Sequence, residues 1–312
     1  MSEHYLDDSE IHDVWDHTIE PRLEIEPGDT VVFECREASN LQITPETDLQ
    51  GFINRERGGG HPLNGPVFVK GAKPGDTLVV EILKLTHKGW GWNGHVPGFG
   101  LLADDFDYAY LQHWDLDGDF CYLRDSQTVK LPFEPFCGVM GVAPKEAGRI
   151  PTGPPGYHAG NVDIRGLVAG ATAYFPVFVD GALFSTGDCH AAQGDGEVSG
   201  MGIESPMTVT LRFDLQKKTQ LEELRFQTPS PLTKTDTKGY FATTGHGPDL
   251  FKNAQDAVRY MIDWLEEEHG FSRSQAYCLC SAAADLKISE IVDAPNWVVS
   301  CYLPLSILDA SG

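Results

Sequence analysis

The strongest constraint on the fold is a turn that the chain uses twice. Pro27-Gly28-Asp29-Thr30-Val31-Val32-Phe33-Glu34 recurs almost letter for letter as Pro74-Gly75-Asp76-Thr77-Leu78-Val79-Val80-Glu81. Proline then glycine at the centre of a turn favours type II, and the apolar run behind each copy reads as a strand. Two copies do not make a solenoid. They predict one β-sandwich or barrel that starts two strands with the same device. Gly65 to Ala72, Ala173 to Val179, Met207 to Leu215, Leu221 to Phe226, Ile288 to Val292 and Trp297 to Leu303 also read as short strands. Asp180-Gly181 is a hairpin signal after the second of these. Leu131 to Pro144, with Phe133, Phe136, Val139 and Met140, should lie beneath the centre of the chain as core. A strong 3.6-residue period runs from Asp249 to Glu268, where Leu250, Ala254, Ala257, Val258, Met261 and Leu265 share a face and Gly270 closes the helix. Ser272 or Ser274 caps a shorter helix through Ala284. Parallel βαβ alternation is absent, which sets aside the doubly wound folds. The expected class is mainly β, sandwich- or barrel-like (α+β), with helices in the C-terminal region.

Composition narrows the functions. Hydrophobic residues make up 41% of 312, enough for a sizeable core. No apolar run approaches a membrane span, and the acidic start Met1-Ser2-Glu3-His4-Tyr5-Leu6-Asp7-Asp8 lacks the apolar stretch of a secretory signal. Seven scattered cysteines fit reduced thiols better than a disulfide scaffold, so a cytoplasmic location is expected. The formal charge of −23 repels nucleic acid and anionic membrane and disfavours a polyanionic substrate. It reads as a well-solvated surface, with adaptation to high salt as the sharper alternative. Cys278-Leu279-Cys280 is not a CxxC knuckle. Asp115-Leu116-Asp117-Gly118-Asp119 lacks the spacing of an EF-hand and reads as a turn. The glycine-rich loop between Asn54 and Asn64 lacks GxxxxGK[ST]; it reads as a loop that presents His61.

Chemistry concentrates between His158 and Glu204. Asn161-Val162-Asp163 is followed by Gly187-Asp188-Cys189-His190, then Gln193-Gly194-Asp195-Gly196-Glu197, and finally Glu204. A single Gly-Asp pair is a turn. Several acids with a histidine, an asparagine and a glutamine in one short stretch read as a site, because such groups are costly to bury. His61, His95, His158 and His246 read one by one as satisfied core or surface groups, His61 and His158 gaining weight from their glycine-rich loops. His17, beside acids ahead of the first strand, reads as an edge residue.

Gly160-Asn161-Val162-Asp163, Tyr174-Phe175-Pro176-Val177 and Gly187-Asp188-Cys189-His190-Ala191-Ala192-Gln193-Gly194-Asp195-Gly196-Glu197 together resemble the acetamidase/formamidase family. Gly65-Pro66, Gly71-Ala72, Pro74 to Leu78 and Gly141 to Pro144 extend the resemblance over roughly the whole chain. It implies a mainly β, homo-oligomeric hydrolase of small amides, with a bound metal in some members. Two regions are expected, an N-terminal β-rich one over 1–130 and a catalytic β-rich one with the C-terminal helices over 131–312, or one intertwined domain.

Amide hydrolysis needs an activated water, a polarised carbonyl and a proton for departing ammonia. A metal with an open position supplies the first two. Asp163, Asp188 and His190 form an O,O,N set suited to a divalent metal, zinc first, with manganese or calcium as alternatives. In an extended strand Asp188 and His190 point to the same face. Glu197 or Glu204 would then act as general base and later acid, with Asp195 orienting a ligand from behind. Asn161 and the N–H groups of the Gly194–Gly196 turn would hold the oxyanion. Two alternatives stay open. One is a cysteine-dependent amidase using Cys189 or Cys137, although Cys189 and His190 face opposite sides of a strand. The other is a non-enzymatic β-sandwich module around a structural divalent cation, with a saturated oxygen shell and no open cleft. Serine catalysis lacks a GxSxG elbow.

Overall fold

The computed structural model of the protein describes residues 1–56, 59–124, 126, 128–229, 234–235, 237–290 and 297–308. Both copies of the repeated turn are built alike. Gly28 and Gly75 have φ of +95° and +88°, the left-handed third position of a type II turn. The aspartate behind each glycine reaches back across the turn. Asp29 Oδ2 accepts the Glu26 N–H at 3.1 Å, and Asp76 Oδ2 accepts the Lys73 N–H at 3.0 Å. Both aspartates are buried, so each turn is closed from inside by a charge-assisted hydrogen bond.

The strands behind these turns, Thr30–Cys35 and Thr77–His87, flank Met207–Gln216 in a six-stranded sheet. Its order is Glu3–Leu6, Thr30–Cys35, Met207–Gln216, Thr77–His87, Thr172–Pro176 and Arg225–Gln227. A five-stranded sheet runs Ala159–Asn161, Phe136–Gly141, Phe184–His190, Leu63–Val69 and Leu23–Ile25. Phe184 from the second sheet stands against Phe33, Phe175 and Phe213 from the first, at ring separations of 6.4, 5.6 and 5.2 Å. That aromatic contact is the centre of a β-sandwich core. Strands from both sides of residue 130 interleave in the six-stranded sheet, and the five-stranded one joins two strands from before it to three from after it. A four-stranded sheet holds Trp90–His95, Tyr110–Asp117, Phe120–Leu123 and Lys130–Pro132, and the turn expected in the 115–119 stretch joins the second of these to the third.

The hairpin expected at Asp180-Gly181 does not form. Thr172–Pro176 pairs within the six-stranded sheet and Phe184–His190 within the five-stranded one. Each strand already has two neighbours, so the connection arches between the sheets, held by Gly181 N–H to Ala72 O and Ala182 N–H to Val179 O. The strand expected over Leu221 to Phe226 shrinks to Arg225–Gln227, an exposed edge with little to bury.

The C-terminal elements form a separate layer. Leu250–His269 is a helix capped by Asp249, whose side chain accepts the N–H groups of Phe251 and Lys252, and stopped by Gly270 at φ +70°. Arg273–Ala283 follows behind a capping box of Ser272 and Gln275. The long helix packs on a three-stranded sheet of Tyr240–Gly247, Trp297–Pro304 and Asp285–Glu290, with Trp264 stacked on Phe241 at 3.8 Å. Residues 291 and 292 of the strand expected over Ile288 to Val292 lie outside the described residues. Among the described residues no helix is long and apolar enough to cross a membrane.

The turn chemistry sets a pH dependence. The Ser2 N–H and His4 hold Asp29 down at about 2, with the Glu26 N–H adding to them. A folded pKa below the ordinary value stabilises the fold above that ordinary value, and the contribution fades as pH falls through the folded one. Asp29→Asn should therefore lower Tm at neutral pH, and the deficit should shrink as pH drops from about 5 towards about 2. Thermal melts across that range check it; a deficit independent of pH would contradict the assignment.

Candidate active site

Phe184–His190 is the keel of the site. It lies between Phe136–Gly141 and Leu63–Val69, and each of its residues is buried. Cys189 faces the core, its Sγ 3.8 Å from the Sγ of Cys137. Asp188 and His190 face the other way, with Asp188 Oδ1 3.6 Å from His190 Nε2. The same-side placement expected from i, i+2 spacing holds, although Asp188 itself has φ +52°.

Three further carboxylates converge on this pair. Asp163 comes from the loop after Ala159–Asn161, at φ +47°, with its N–H bonded to Gly138 O at 3.2 Å. Glu197 comes from the Gly194–Gly200 loop at φ +43°. Glu204 is carried on isolated bridges to Trp92 and His190 and brings Oε2 to 3.2 Å from His190 Nε2. Single donor atoms of Asp163, His190 and Glu197 lie within 4.8 Å of one another, and so do those of Asp188, His190 and Glu204. Two glycines make this crowding sterically feasible. A Cβ on Gly138 would stand 2.5 Å from Asp163 Oδ1 and 2.8 Å from Asp188 Oδ2; one on Gly202 would stand 2.5 Å from His190 Nδ1.

Gln193 sets the histidine. Its Nε2 donates to Asp163 O at 2.9 Å, which turns Oε1 towards His190 Nδ1 at 2.7 Å. The Nδ1–H is thereby engaged, and Nε2 is the ring nitrogen presented to Asp188 and Glu204.

Burial raises Asp163 to about 6 and Glu204 to about 8, with Asp188 adding to both shifts. Glu197 is pushed well above the usual carboxylate range by burial and then by Asp163. Burial also pushes Asp188 upward, but His61 and His190 together outweigh it and the net shift is down. Burial lowers His190, yet Glu204 and Asp188 prevail and hold it well above its ordinary value. Among the described residues no lysine or arginine pairs with any of the four acids. Buried polar atoms are left over too: Asp163 Oδ1, His190 Nε2 and Glu204 Oε2 have no hydrogen-bond partner. Oxygen and imidazole donors that are buried, unpaired and in excess negative charge fit a divalent metal.

The C-terminal layer grips the loop that carries Glu197. Gly194 N–H donates to Ser281 O, Asp195 N–H to Asp285 Oδ1 and Ser199 N–H to Ser281 Oγ. The Tyr277 hydroxyl donates to Val198 O, and Arg165 pairs with Asp285. Asp195 enters this clamp through its backbone N–H.

The acids open onto a cavity of about 730 Å³ lined by Asp163, Asp188, Glu197 and Glu204 together with His61 and Asn161. His61 Nε2 approaches Asp188 Oδ2 at 3.8 Å, and its ring and N–H are held by Thr152 Oγ1. Asn161 donates Nδ2 to Gly153 O and leaves Oδ1 without a partner. Trp92 also lines the cavity, its indole N–H fixed by the buried Glu37 at 3.0 Å. No spacing in the sequence links residues 37, 92 and 204. His95 is a core group among Phe106, Tyr108 and Tyr277, and His158 meets Trp15 edge-on. His17 bonds to Pro144 O; the side chain of His246 lies outside what the structure describes. Ser185 Oγ meets His12 Nε2 at 2.9 Å, but neither lines the cavity. Nor do Cys189 and Cys137.

A profile of the acetamidase/formamidase family matches residues 2–150 and 145–310. A formamidase from Methylophilus methylotrophus is 28% identical over 97% of this chain and 90% of its own length. Among solved structures, a γ-lactamase from Delftia acidovorans superposes with a TM-score of 0.91 at 27% identity, covering 100% of this chain and 95% of that one. An acetamidase from Bacillus halodurans gives 0.65 at 33% identity, over 96% and 97%.

The crowding at Gly138 yields a test. Gly138→Ala should force the Asp163 and Asp188 carboxylates apart and, because its Cβ would also come within 2.9 Å of the Asp188 backbone oxygen, lower Tm as well. Divalent-metal affinity and amide turnover should both fall, by about tenfold or more. A variant with normal metal content and rate would show that these two carboxylates do not act together.

Proposed function

The chain belongs to the acetamidase/formamidase family and hydrolyses amide C–N bonds; we propose that it does so with a divalent metal held by Asp163, Asp188 and His190. The observation that supports this is the convergence of four carboxylates on one histidine, unpaired by any lysine or arginine among the described residues, beside an open cavity. Glu204 stands close enough to join the set through Oε2. Zinc is the first candidate for these oxygen and nitrogen donors. The ion would supply Lewis acidity towards the substrate carbonyl and water.

The protein's own groups do the rest. His190, fixed by Gln193, presents Nε2 rather than Nδ1. Glu197, whose Oε1 accepts the Gly202 N–H at 2.9 Å, is the proton carrier. Its raised pKa lets it take a proton from water as the water oxygen bonds to the carbonyl carbon, and return that proton to nitrogen as the C–N bond breaks. Ammonia and a carboxylate leave. Asn161, whose Nδ2 is engaged, offers Oδ1 as an acceptor for the substrate's amide N–H.

The cysteine alternative finds no support in geometry. Cys189 is pushed well above its ordinary value by contact with Cys137 and Cys35 and by burial, and it faces away from the cavity. The open cavity runs against a purely structural cation site. The substrates for which the relatives are named, formamide, acetamide and a γ-lactam, frame the amide class. Seven free thiols accord with a cytoplasmic setting. We also expect a homo-oligomer, and sedimentation of a stable, active monomer would contradict that.

Three variants separate the roles. His190→Ala should lose metal and activity together. Glu197→Gln should keep its metal and lose about a hundredfold in turnover. Cys189→Ser should turn over normally. Metal analysis beside ammonia release decides among them: full metal and full rate in His190→Ala would refute the metal site, and a dead Cys189→Ser with metal unchanged would install the thiol instead.

A further inference from the structure

The cavity is far larger than the simplest amides require. At about 730 Å³ it falls in the range of sites for drug-sized ligands. Formamide is only a few atoms larger than water, whose own share of liquid is about 30 Å³.

The wall beside the acids is apolar. Trp92, Val96, Phe99 and Met201 line it. Trp92, Val96 and Met201 belong with Ile43 and Phe52 to a small hydrophobic cluster separate from the main core, so this wall has its own packed backing. The wall begins at the reacting groups. Trp92 exchanges both backbone hydrogen bonds with Glu204, and Phe99 sits over Gly200, where a Cβ would come within 2.3 Å of its ring. Leu101 N–H to Val198 O ties the Phe99 loop to the loop of Glu197. The ring of Trp92 cannot swing aside, because its indole N–H is bonded to a Glu37 carboxylate that also takes Ser39 and Leu41 N–H. Phe99 is 55% exposed and lines the cavity opening. The fixed ring of Trp92 and the half-exposed ring of Phe99 beside the carboxylates describe a slot for an apolar group attached to the amide carbonyl.

We infer that the substrate is a primary amide with an apolar acyl group of about ring size, formamide and acetamide occupying only the polar end of the site. This rests on the amide-hydrolase reading. Water adds its oxygen to the carbonyl carbon, the C–N bond breaks, and the products are ammonia and a hydrophobic carboxylate.

The test compares formamide, acetamide, hexanamide and phenylacetamide with the purified, metal-replete protein. kcat/KM should rise along that series by at least about a hundredfold, chiefly through KM. Phe99→Ala, at a half-exposed position, should lower kcat/KM for phenylacetamide about tenfold and for acetamide much less. Acetamide or formamide as the best substrate would overturn the inference while leaving the amidase reading intact. So would an equal loss on all four amides in Phe99→Ala. If no amide is cleaved, the amidase reading fails instead. Calorimetry then decides the cavity by itself: phenylacetamide binding more tightly than acetamide supports the apolar slot, and equal or absent binding overturns it.

Discussion

Four carboxylates and one imidazole, buried or half-buried, are crowded together at the edge of one cavity. Ionising all four there would be prohibitive, because each buried charge raises the cost of the next. Protonation divides them. Asp188, facing both His61 and His190, stays charged, while Asp163 and Glu204 are raised to about 6 and 8. Protons held in this way are the ones that carboxylates give up on taking a cation. The same arrangement that makes the cluster unfavourable by itself gives it the donor chemistry that suits a divalent ion.

Holding such a cluster together demands a stiff frame. Asp163, Asp188 and Glu197 all sit in left-handed backbone, which costs about 1–3 kcal/mol each for residues with a Cβ. The surrounding structure imposes these conformations. Asp163 is pinned by Gly138 O and Gln193, Asp188 by a strand paired on both sides, and Glu197 by the clamp from the C-terminal layer. The helix Arg273–Ala283 and the start of the following strand act through Ser281, Tyr277 and Asp285, none of which lines the cavity. Their role is to fix a loop that would otherwise relax away from its strained conformation.

Local physics made part of this legible in advance. The paired Pro-Gly-Asp-Thr turns, the long helix with its Asp249 and Gly270 caps, and the shared side of Asp188 and His190 all follow from interactions within a few residues. What sequence reading missed depends on contacts between distant segments. Asp180-Gly181 has hairpin chemistry, but the strands on either side are claimed by different sheets. Leu221 to Phe226 has strand composition but only an exposed edge to join. His61 reaches Asp188, and Glu37 fixes Trp92, across separations that leave no periodic trace. Asn161 was placed at the site by its neighbours, while the direction of its amide depends on Gly153 O.

Cys189 shows why the strand between two dry environments has to be read face by face. It lies between Asp188 and His190 in sequence, and a thiolate there would compete for any soft or borderline metal those residues hold. The strand turns it the other way. On that side it meets Cys137 in register and Cys35 beyond, and those contacts together with burial keep it a thiol. In that environment it behaves as a small apolar filler of the sandwich core. Alternation along Phe184–His190 therefore does two jobs at once: it turns an oxygen and a nitrogen donor towards the acid cluster, and it keeps the sulfur between them on the opposite face.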